Sequence, residues 1–76
     1  SAALYTNTTG ANNTAFGHQA GDVITTGTNN VIIGEGADPS ANSGTNQIVI
    51  GKDAVGGGDN TAVIGNTDIT AWLPPD

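Results

Sequence analysis

The chain has 76 residues, enough for one domain at most, with 36% apolar residues and only three aromatic ones. It has no cysteine, so disulfides and Cys-based zinc sites are excluded, and seven acidic residues against one lysine give a net charge of −6. A phosphate backbone needs clustered Lys and Arg, so nucleic acid is excluded as a partner; apolar runs of three residues also exclude insertion into a membrane by a helix.

The first predicted elements lie in a frame that occurs four times, over residues 10–17, 27–34, 44–51 and 58–65. Each copy opens on a glycine (Gly10, Gly27, Gly44, Gly58), carries asparagine two residues on (Asn12, Asn29, Asn46, Asn60), and closes on a second glycine (Gly17, Gly34, Gly51, Gly65). Ala3, Ala20, Ala37 and Ala54 recur outside the frame at a spacing of 17, whereas the opening glycines step by 17, 17 and 14. A fixed period of this length predicts a solenoid or β-roll.

In each frame the three residues before the closing glycine, Thr14-Ala15-Phe16, Val31-Ile32-Ile33, Ile48-Val49-Ile50 and Ala62-Val63-Ile64, predict a short strand. Alternation puts Phe16, Ile33, Ile50 and Ile64 on one face, which we take as the core row, and Ala15, Ile32, Val49 and Val63 on the other. Both faces are apolar, so one face needs cover from outside the repeat. The glycines are read as corners, and the four asparagines as a structural amide ladder along the stack.

A second, less regular strand is expected to return the chain, at Leu4-Tyr5-Thr6, at Val23-Ile24-Thr25 and near residues 40–43. The fourth repeat lacks three residues at Ala54-Val55-Gly56-Gly57-Gly58, which predicts a tighter turn there. After Gly65 the pattern stops, and residues 66–76, with the single tryptophan Trp72 before Pro74-Pro75, are expected to form a C-terminal cap strand.

The phrases Ala3-Leu-Tyr-Thr-Asn-Thr-Thr-Gly-Ala-Asn-Asn-Thr-Ala-Phe-Gly-His-Gln-Ala-Gly21 and Asn60-Thr-Ala-Val-Ile-Gly-Asn66 resemble the head repeats of trimeric autotransporter adhesins, and more closely related segments of phage tail fibres. The resemblance covers residues 3–66. It implies an all-β, left-handed parallel β-roll, to which the sequence adds repeats of about 17 residues, longer than the period common in adhesin heads, assembled as a homotrimer in a virion tail fibre or on a bacterial surface. Its implied task is structural, with attachment to a host-surface glycan or protein. The expected domain is 1–76, a segment of a longer fibre.

No catalytic residue, metal ligand or cofactor is assigned. His18 is the only histidine, and its equivalents Glu35, Lys52 and Asn66 share no chemistry, so it is read as one position on an exposed ridge. Tyr5 and Trp72 are candidates for stacking on a sugar, with packing the simpler role. The second hypothesis is a non-catalytic or calcium-binding β-roll domain of a larger enzyme such as a fibre depolymerase, suggested by Gly56-Gly57-Gly58-Asp59-Asn60; the equivalents of Asp59 are Ala11, Thr28 and Thr45, which weakens it. An ice-binding face built from the threonines ranks third.

Overall fold

A computed structural model describes residues 2–75, and Ser1 and Asp76, the ends of the expected domain and cap, lie outside them. Four strands form where the mostly β-branched triplets fall: β1 (Thr14–Phe16), β2 (Val31–Ile33), β3 (Ile48–Ile50) and β4 (Ala62–Ile64). They make one parallel sheet in the order β1-β2-β3-β4, and the described residues contain no helix. The molecule measures 41 × 25 × 18 Å.

The register follows the sequence frame. Thr14 pairs with Val31, Val31 with Ile48, and Ile48 with Ala62, so the 14-residue step preserves the alignment set by the two 17-residue steps. The ladder extends past each strand end, where Gly34, Gly51 and Gly65 N–H donate to Phe16, Ile33 and Ile50 C=O, each at 2.8 Å. The repeated alanine marks a second line of contact. Ala20, Ala37 and Ala54 N–H each donate to the closing glycine three residues earlier at 3.1 Å, and their carbonyls accept from Leu4, Gly21 and Asp38 in the preceding repeat. A side chain larger than a methyl would not fit there, because Ala20, Ala37 and Ala54 are buried.

The interior of the chain corrects the expected core. Ile32 and Val49, the middle residues of β2 and β3, are buried together with Ile24 and the three alanines; Leu4 and Ala15 pack against them. The expected core row is on the other side: Phe16 is 76% exposed, Ile64 is 50% exposed, Ile33 is exposed and Ile50 is half-buried. The reason is thinness. A three-residue strand sends one side chain one way and two the other, and the return segments of this chain cover only the side with one.

Those return segments are turns and bends rather than strands at 4–6, 23–25 and 40–43. The Thr25, Thr26 and Gly27 N–H groups all point at the Asn42 carbonyl (3.0, 3.3 and 3.1 Å), and Thr8, Thr9 and Gly10 converge in the same way on Thr25 O. Three consecutive donors on one acceptor describe a tight bend, whereas a strand alternates its donors between two sides. The expected cap strand is absent as well. Asn66 Oδ1 accepts from Asp68 and Ile69 N–H (2.9 and 3.2 Å) to close a turn, and residues 69–75 then run without strand pairing. Trp72 is 70% exposed and so does not plug the chain's own core; Pro74 and Pro75 have no N–H to offer a ladder.

Candidate functional site

Asn12, Asn29, Asn46 and Asn60 each adopt positive φ (61°, 62°, 54° and 62°), a conformation asparagine tolerates better than other non-glycine residues. Their backbones stitch the bends together, with Asn29, Asn46 and Asn60 N–H donating to Ala11, Thr28 and Thr45 C=O. Their side chains make one inter-repeat rung, Asn46 Nδ2 to Asn60 Oδ1 at 2.8 Å. The buried amide ladder is built one residue later, from Asn13, Asn30 and Gln47.

Asn30 donates from both N–H and Nδ2 to Asn13 Oδ1 (3.1 and 3.0 Å) and from Nδ2 to Gly44 O, while its own Oδ1 accepts from Gln47 N–H at 2.9 Å. Asn30 and Gln47 are fully buried, so every one of these bonds replaces water that the fold has removed. The clue in the sequence is the amide doublet, Asn12-Asn13, Asn29-Asn30 and Asn46-Gln47, of which only the first member recurs in the fourth frame.

Gln47 stands where the next repeat is three residues short, and its longer side chain spans the gap. Its Oε1 accepts from Ser40 N–H (3.0 Å), and its Nε2 donates to Ser40 Oγ and Asp59 Oδ1 (2.8 and 3.1 Å). Asp59 Oδ1 also accepts from Thr45 N–H, and these donors hold the carboxyl below the usual aspartate range, the Thr45 bond being the larger cause. The glycines divide by task. Gly17, Gly34, Gly51 and Gly65 close their frames at φ between 115° and 137°, and a Cβ on Gly34 would lie 2.6 Å from Gly51 O. Gly10, Gly27 and Gly44 are not in that region; Gly10 and Gly27 are glycine because the carbonyl of the next repeat's opening glycine occupies the Cβ position. Gly58 has φ 129° with open space around it.

The ridge forms as the spacing predicts: Gly36 N–H donates to His18 O and Asp53 N–H to Glu35 O, and Asn66 Nδ2 reaches Lys52 O at 2.8 Å. Lys52 Nζ is 2.7 Å from Asp53 Oδ2 and 3.9 Å from Glu35 Oε1, so Asp53 first and Glu35 second hold its ammonium above the usual lysine range. Among the described residues there is no group of three or more His, Cys, Asp or Glu that could hold a metal ion, and no helix long and apolar enough to cross a membrane.

The outward strand face is an exposed apolar surface. Phe16, Ile33, Ile50 and Ile64 pair in direct register, so their side chains form a row at the strand spacing, about 4.8 Å apart. At its C-terminal end a groove of about 340 Å³ opens between Ile50 and Ile64 on one side and Ile69, Trp72 and Leu73 on the other. Comparisons with family models, with curated proteins and with solved structures returned no match for this chain.

Proposed function

We propose that this chain is a structural and attachment module of an extracellular fibre, in which three copies assemble as a left-handed parallel β-roll and present a host-binding surface without catalysis. The observation that carries the reading is the continuous outward row Phe16, Ile33, Ile50 and Ile64. An exposed apolar row of this kind marks an interaction surface. Its repeat is the strand spacing itself, and a second copy of the same sheet matches that spacing at every step. The chain's own core favours the same conclusion, since among the described residues three of the six buried apolar side chains are alanine.

On this reading Trp72 and Leu73 lie across a subunit boundary. The ridge of His18, Glu35 and Lys52 faces outward as the variable surface, available to a host-surface glycan or protein. The test is the mass in solution by sedimentation, for the parent chain and for Ile33→Asp. The parent is expected at three times the chain mass, and the variant, with a charge placed in the row, at a lower mass. A parent that sediments as a single chain at micromolar concentration would sink the proposal.

A further inference from the structure

One half-buried acid takes no part in the apolar row or the amide ladder. Asp38 begins the return segment of its repeat, and its Oδ1 is enclosed without a hydrogen-bond partner. Its main chain is fixed on both sides by the next repeat: Asp38 N–H donates to Ala54 O at 3.0 Å, and Asp38 C=O accepts from Gly56 N–H at 2.8 Å. The residue that follows, Pro39, is buried.

We propose that the Asp38–Pro39 peptide bond is a self-scission site, cut by the Asp38 carboxyl in mildly acidic solution. The side-chain oxygen bonds to the main-chain carbonyl carbon of its own residue, which closes a five-membered ring. Gly56 N–H already donates to the carbonyl oxygen on which negative charge develops, so the stabilising donor is in place before reaction. The bond from that carbon to the Pro39 nitrogen breaks as the carboxyl proton passes to the nitrogen, which leaves as a secondary amine. Proline suits this role because its nitrogen, alkylated and without N–H, accepts a proton more readily than an ordinary amide. One water then opens the cyclic anhydride to give a chain ending at residue 38 with two carboxyl groups, so each scission consumes one water and no other reactant.

The proton is at hand where an ordinary aspartate has lost it. Burial first and the facing Asp22 carboxylate second push the Asp38 carboxyl up to about 6, against a lowering contribution from the Val23 N–H, and the side chain also hydrogen-bonds to Asp22. At about pH 5 the folded chain holds this carboxyl mostly protonated, whereas the unfolded chain holds about one in fifteen.

The experiment is intact-mass measurement, under denaturing conditions, of the whole chain kept at about pH 5, folded or in urea. Fragments 1–38 and 39–76 are expected to form about tenfold faster in the folded sample. Asp38→Asn removes the attacking group, and Pro39→Ala keeps it but replaces the leaving amine; both are expected to stay whole. Absence of fragments, equal rates folded and in urea, or equal scission in Pro39→Ala would each overturn the proposal.

Discussion

At the scale of single residues, the fold depends on polar side chains whose length is matched to one position. Gln47 is the clearest, because it takes the ladder position held by Asn13 and Asn30 yet must also bridge to Ser40 and Asp59 across the shortened loop. Gln47→Asn keeps the amide but is one methylene short, leaving the Ser40 N–H without its acceptor. The expected loss is about 1 to 3 kcal/mol in chemical denaturation. Asp38 gives a pH dependence. Its carboxyl rises on folding from 3.8 to about 6, so the folded chain binds the extra proton between those values and the stability from that proton is complete below the lower one. Stability is then lost as pH rises through about 6, by about 1 kcal/mol once solvent screening of this partly exposed group is allowed for. Asp38→Asn is expected to flatten this slope in melts from about pH 4 to pH 7, and an unchanged slope would assign it to another group.

At the scale of elements, the strands were readable because β-branched triplets between glycines leave few other options, and the shorter fourth step did not hide β4 because its frame was intact. The side that faces inward was not readable, since Ile32 and Ile33 are chemically the same and only the placement of the return turns chooses between them. The buried ladder lies one residue beyond the recurring asparagine for a related reason: two amides in sequence both suit a turn, and with positive φ at Asn12, Asn29 and Asn46 it is the second one that faces inward. The return segments are not strands because short apolar stretches such as Val23-Ile24 bury one side chain, Ile24, while the backbone donors gather on a single carbonyl. The closing glycines give a direct test of element geometry. Gly34→Ala places a methyl 2.6 Å from Gly51 O at φ 128° and is expected to cost at least ~2 kcal/mol, whereas Gly57→Ala meets nothing nearer than 3.4 Å and should change stability by less than about 0.5 kcal/mol. Thermal melts of the two variants side by side decide it; equal losses would mean that the corners yield.

At the scale of the whole molecule, the question is whether folding and association are one event. Among the described residues the buried core contains only Ile24, Ile32 and Val49 as large apolar side chains, while Phe16, Ile33, Ile64, Ile69, Trp72 and Leu73 face outward. If three chains cover these groups together, native stability contains the chain concentration. Each tenfold increase then adds about 2.7 kcal/mol per trimer, because two association steps are displaced by mass action. For a trimer of this size that corresponds to a rise in melting temperature of about 5 °C per tenfold, using the usual unfolding entropy per residue. Ile33→Asp, which leaves Ile32 and Val49 in place, is expected to lower the melting temperature most at low concentration. A parent chain whose melting temperature is the same across two decades of concentration folds alone, and the outward row would then need a different occupant.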